Sequence, residues 1–176
     1  CNDHPVQPLE GVVTAVNRQA NRLPAKTKID FLFMIDTSSS MCQEQENLSR
    51  NFSQFSNFLF DELGDSADYR IAVTNMDTDE GKARGRFLAE PAPFERAVEC
   101  TDGMGNALIP NTEDCAQLVA SGAIRPVLRS EDINSQPELE RIFRCMATLG
   151  TAGSGVERGL EAMRLALSCN GPNAGQ

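Results

Sequence analysis

The run Ile29-Asp30-Phe31-Leu32-Phe33-Met34-Ile35 ends in Asp36 and is followed by Thr37-Ser38-Ser39-Ser40. Nothing else in the chain constrains its fold as strongly. Near-continuous apolar character over so short a run suits a strand buried on both faces of a mostly parallel sheet. Behind the hydroxyl-rich loop, Leu48, Phe52, Phe55, Leu59 and Leu63 recur at spacings of four and three, which is one face of a helix. Gly64 stands where a helix stop belongs. The loop 36–41 therefore joins the end of a buried strand to a long helix.

The same alternation continues downstream. Tyr69-Arg70-Ile71-Ala72-Val73-Thr74 reads as a second strand, Asp77-Thr78-Asp79-Glu80-Gly81 as a turn, and residues 84–88 as a returning edge strand. Ser135-Gln136-Pro137-Glu138 is a capping box with proline in the first turn. It opens a helix with Leu139, Ile142, Phe143 and Met146 on its apolar stripe. After Gly150-Thr151-Ala152-Gly153-Ser154-Gly155, a further helix carries Val156, Leu160, Met163 and Leu167 on one face. Strands alternating with helices predict an α/β fold, a mostly parallel Rossmann-like sheet with helices on both faces. Residues 1–25 read as a leader and tether, with a weak strand signal at 11–16. Residues 26–176 read as the folded domain. Residues 89–134, rich in Pro, Gly and Asn, read as an irregular insertion braced by a Cys100–Cys115 disulfide, unless each cysteine pairs elsewhere. Pro126 makes 123–128 a poor central strand.

Composition excludes several function classes. The net charge of −9 opposes nucleic-acid binding and favours cations. His4 is the single histidine and stands in a polar leader, so imidazole-based catalysis and His-rich zinc sites have no candidate. The glycines at 150–155 lack the Gly-Lys-Ser/Thr ending of a phosphate loop. No general base–nucleophile pair is visible, and a non-enzyme is expected. Six cysteines, none in a C-x-x-C pair, indicate an oxidising compartment. Cys1, followed by Asn2-Asp3-His4-Pro5-Val6-Gln7-Pro8, has the form of a mature lipoprotein terminus, acylated and tethered to a membrane.

In an open α/β sheet, ligands bind beyond the carboxyl ends of the strands. Asp36, Ser38 and Ser40 alternate at such an end and can turn toward one point. Hard oxygen donors of this kind suit Mg²⁺ first, with Mn²⁺ and Ca²⁺ as alternatives. The competing reading is an ordinary N-cap. Asp77, Asp79 and Glu80 read as a solvated turn, with a second Ca²⁺ site as the alternative.

With residues 31–41, the helix after them, and Gly153-Ser154-Gly155-Val156-Glu157-Arg158-Gly159-Leu160, the chain resembles the von Willebrand factor A family, the integrin I-domain fold. That resemblance implies a metal-ion-dependent adhesion site on Asp36, Ser38 and Ser40. Ser154 falls on the position of the family's threonine, and Thr151 is its rival. The family's later metal-site aspartate follows a further buried strand, and no such strand is visible before Gln176. The fold implied by the resemblance places Cys42 and Cys145 near the same rim, where a Cys42–Cys145 disulfide would pin the two loops, leaving Cys169 to a partner beyond Gln176. A narrower likeness, carried by Cys1, residues 69–74 and residues 150–157, is to secreted A-domain lipoproteins of myxobacteria. It implies an outer-membrane, lipid-anchored adhesin that attaches cells to a substratum, as in gliding, through an acidic group on a ligand. The alternative is a structural subunit of an envelope or motility complex, with a stabilising ion.

Overall fold

The computed structural model describes residues 26–89 and 112–176. They form an α/β fold with a small open mixed sheet in the order β1-β2-β3. Strands β1 (Thr27–Ile35) and β2 (Ala67–Asn75) run parallel, in register from Thr27–Ala67 to Ile35–Asn75. A parallel pair needs a crossover. Helix α1 (Cys42–Asn57) supplies it, continued by a π-helical segment, Phe58–Leu63, and a 3₁₀ turn, Gly64–Ser66. Gly64 reverses the chain at a positive φ of 43°, a conformation that suits glycine. Strand β3 (Val127–Arg129) lies antiparallel on the far edge of β2, opposite Arg70, Ile71 and Ala72.

Side chains alternate across the sheet. Phe31, Phe33 and Ile35 of β1 join Tyr69, Ile71 and Val73 of β2 on one face, under α1 and α3 (Gln136–Ala147). Phe33 meets Phe143 at 4.7 Å between ring centroids, and Phe52 stacks on Phe143. The expected stripe of α3 is fully buried: Leu139, Ile142, Phe143 and Met146 are each at most 1% exposed. Its start is capped as the sequence indicates, with the Glu138 N–H donating to Ser135 Oγ and Pro137 in the first turn. The return bond differs: Glu138 Oε2 accepts from the Asn134 N–H rather than from Ser135.

Several expectations are corrected. β1 is not buried on both faces; most of its residues are half-buried, because among the described residues only β2 flanks it. The sheet is mixed rather than mostly parallel. Residues 84–88 form no strand. Leu88 N–H donates to the Val73 carbonyl and the Arg86 carbonyl accepts from Thr74 Oγ1, so the segment lines the β2 edge without a ladder. Within 89–134, helix α2 (Thr112–Ala120) and β3 are regular elements. Pro126 immediately precedes β3, which is an edge strand, where proline is tolerated.

The cysteine pairing also differs. Helix α2 packs against α3 and brings Cys115 to Cys145 at a Cα–Cα distance of 5.5 Å, and the two are bonded. That pairing replaces both Cys100–Cys115 and Cys42–Cys145. Cys42 and Cys169 are each in a disulfide too, so Cys169 does not await a partner beyond Gln176. Cys1, Cys100, the leader 1–25 and its strand signal at 11–16 lie outside the described residues.

The last helix, α4 (Gly159–Ala166), packs on β2 from the opposite face of the sheet. It turns the unexpected way. Ala162 and Ala166 are buried, while Leu160 is 85% and Leu167 62% exposed; Val156 and Met163 are exposed too. The reason is a close approach: a Cβ on Gly85 would lie 2.6 Å from Ala166 N and 2.7 Å from Ala162 O. Ala162, Leu165 and Ala166 form the face of α4 that meets Gly85, and Leu160 and Met163 lie away from it. Leu160→Ser should therefore change stability by less than about 0.5 kcal/mol, whereas Ala162→Leu should cost roughly 1–3 kcal/mol or more by overpacking. Urea denaturation of the two variants checks this, and the reverse order would contradict the packing.

Candidate cation site at the carboxyl ends of β1 and β2

The loop after β1 begins with Asp36, whose Oδ1 accepts the Ser38 N–H at 2.7 Å. This local turn tightens the loop. Thr37 and Ser38 are buried, Asp36 is half-buried, and Ser39 and Ser40 are exposed. Met41 N–H donates to the Ser38 carbonyl, and Met41 is the N-cap of α1, with no side-chain cap bond. The N-cap position thus falls on Met41 and not on Asp36, Ser38 or Ser40.

The second loop, residues 148–158, follows α3 and lies against the first. Gly153 N–H donates to the Thr37 carbonyl at 2.8 Å. A Cβ on Gly153 would stand 2.1 Å from Thr37 Oγ1, so this contact admits glycine alone. Gln45, 3% exposed, fastens the loops together. Its Nε2 donates to the Asp36 carbonyl at 2.8 Å and to the Gly150 carbonyl at 2.9 Å, and its Oε1 accepts the Leu149 N–H at 3.1 Å. One amide satisfies three backbone groups that the sheet and helices leave over.

The turn after β2 forms the third side. Asp77 N–H donates to Asn75 Oδ1 and the Asp77 carbonyl accepts from the Arg84 N–H. Asp77 is 4% exposed, and its Oδ2 accepts the Ser154 N–H at 3.3 Å. Asp77 Oδ1 is buried without a hydrogen-bond partner. Asp79 sits outside this core, exposed, with Arg158 Nη1 at 3.5 Å, and Glu80 is exposed. The solvated-turn reading fits Asp79 and Glu80 and fails for Asp77.

The structure therefore brings the Asp36–Ser38 loop and the Thr151–Ser154 loop into direct contact. Thr151 is buried. Ser154 is half-buried, and its Oγ accepts the Val156 N–H at 3.1 Å. The donors at this rim are carboxylate and hydroxyl oxygens, the chemistry that Mg²⁺, Mn²⁺ or Ca²⁺ takes. Among the described residues, no group of three or more His, Cys, Asp or Glu side chains gathers as a metal site. A cation here would rest on few carboxylates supplemented by hydroxyls.

Sequence reasoning missed Gln45, which stands in the run Gln43-Glu44-Gln45-Glu46 and looks like solvated helix. It also missed the close approach at Gly153. The usable signal for Asp77 was its place at the end of a strand parallel to β1, hence on the same rim. No protein-family profile, curated protein or solved structure matches the chain.

Removing the Gln45 amide strands three buried backbone groups. Gln45→Leu, nearly equal in size, should lower stability by roughly 2–4 kcal/mol. Gln54→Leu, at an exposed position of the same helix, serves as the comparison. Equal denaturation midpoints for the two variants would contradict the role assigned to Gln45.

Proposed function

We propose that the protein is a cation-dependent ligand-binding module of the von Willebrand factor A type, acting in adhesion. One observation carries the reading. Two hydroxyl-bearing loops, one headed by Asp36, are clasped together by Gln45 at the carboxyl ends of parallel strands. Ligand sites of open α/β sheets occupy this place. The three-stranded mixed sheet with helices is compatible with the A-type fold.

In this reading Asp36, Ser38 and Ser40 hold the ion from the first loop, and Ser154 or Thr151 holds it from the second. Mg²⁺ suits the donor set first, with Mn²⁺ and Ca²⁺ as alternatives. When bound, the ion offers an electrophilic position to an acidic group of a protein ligand or substratum. The surrounding residues do the rest. Buried Thr37 and Ser38 fix the loop from below, and exposed Ser39 and Ser40 border the ligand. The acidic charge of −9 raises the local concentration of cations. No nucleic-acid partner is part of this function, and no catalytic step is assigned. Attachment at the outer membrane, which the narrower likeness implies, completes the proposal. Among the described residues, no helix is long and apolar enough to cross a membrane.

The exposed apolar face of α4 favours a second reading, a structural subunit of an envelope or motility complex that docks through Leu160, Met163 and Leu167. There the ion would only stabilise the fold. The first reading predicts that the protein takes up Mn²⁺, followed by loss of the free-ion electron paramagnetic resonance signal. Asp36→Ala should weaken uptake by roughly tenfold or more, at least about 1.4 kcal/mol. It should leave the circular dichroism spectrum unchanged. Loss of fold in Asp36→Ala would favour the structural reading, and Mn²⁺ uptake unaffected by the substitution would remove the site.

A further inference from the structure

We infer that Asp77 supplies a second carboxylate to this cation site, from the turn after β2 rather than from a strand later in the chain. The inference rests on the cation-site reading above and deepens it. Asp77 is 4% exposed. Its main chain is tied on both sides, N–H to Asn75 Oδ1 and carbonyl to the Arg84 N–H, so the side chain is held in place. Oδ2 accepts from the Ser154 N–H, which aims the carboxylate at the second loop. That loop closes on Thr37 through the Gly153 N–H. Strands β1 and β2 run parallel, with Ile35 beside Asn75, so Asp36 and Asp77 follow adjacent strand ends.

What points to a ligand is Oδ1, a buried carboxylate oxygen with no partner. Asp132 Oδ2 is also buried and unpaired, but the other oxygen of Asp132 is matched by Arg125 at 2.9 Å. Asp77 has no ion pair among the described residues; the neighbouring Arg158 pairs with Asp79 instead. A buried anion without a counter-charge is unfavourable unless something positive meets it. A hard divalent cation, bound by oxygen donors, meets it directly. Asp36 and Asp77 together would balance the charge of the ion, so the protein would hold it firmly before any acidic ligand arrives.

The test uses the whole chain, with Mn²⁺ as the probe. Asp77→Asn keeps an acceptor for the Ser154 N–H and removes the charge. Mn²⁺ affinity by calorimetry should fall on the order of tenfold or more. In chelator, with no cation present, the variant should melt at or above the wild-type temperature, because an uncompensated buried charge is gone. Asp79→Asn, at an exposed position, should leave affinity unchanged. Wild-type Mn²⁺ affinity in Asp77→Asn, with affinity lost in Asp36→Ala, would overturn the role of Asp77 and spare the site. Melting of Asp77→Asn below wild type in chelator would make Asp77 a structural residue and also overturn it. Absence of Mn²⁺ binding by the wild-type protein would remove both.

Discussion

A single buried amide holds together the two loops at the carboxyl end of this sheet. Gln45 reaches from the first turns of α1 to the carbonyl of Asp36, the carbonyl of Gly150 and the N–H of Leu149. These three groups sit where β1 and α3 have ended and their own ladders cannot satisfy them. Backbone polar groups buried without partners are costly. Gln45 removes that cost only when both loops lie in their observed positions. The juxtaposition of the Asp36 loop and the Thr151–Ser154 loop is thus linked to folding of α1 and α3, whose own association rests on the Phe52–Phe143 stack and the buried stripe of α3. The core fixes the helices, the helices place Gln45, and Gln45 places the loops.

The two faces of the sheet are built on different terms. Under α1 and α3 the packing is aromatic and dense, and the Cys115–Cys145 bond ties α2 to the same layer. On the other face α4 approaches through Ala162 and Ala166 against Gly85, with Leu165 beside them, while Leu160 and Met163 remain in solvent. Small residues permit close approach of backbones and bury little apolar area. This layer is therefore held by shape more than by hydrophobic burial.

Much of the fold was legible because it follows period and position. The 29–35 run, the Leu48–Phe52–Phe55 spacing, the Ser135 cap and the Leu139–Met146 stripe all became the elements their patterns indicate. Where pattern misled, tertiary contact decided. The stripe Val156, Leu160, Met163 and Leu167 has helical spacing, but periodicity says which residues share a face and not which face meets the protein. The cysteine pairing was hidden because α2 was hidden: a Pro/Gly/Asn-rich neighbourhood masked a short helix that carries Cys115 to Cys145. Asp36, Ser38, Ser40 and Ser154, with Thr151 as its rival, were candidates in the sequence, and the structure brings their two loops into contact. Gln45 was not a candidate, since a polar residue on a helix looks solvated until a loop covers it, and Asp77 was legible only as one acid of the 77–80 turn, not distinguished from Asp79 and Glu80. Gly153 was visible as a glycine, but its need for Thr37 contact was not.

The proposed function requires that this rim hold a hard cation. Crystals soaked in Mn²⁺ and measured for anomalous scattering test it most directly. The expected result is a peak at coordination distance, about 2.0–2.6 Å, from a carboxylate oxygen of Asp36, with hydroxyl oxygens of both loops around it. A map with no peak at this rim, or with its ordered Mn²⁺ bound only elsewhere on the acidic surface, would contradict it.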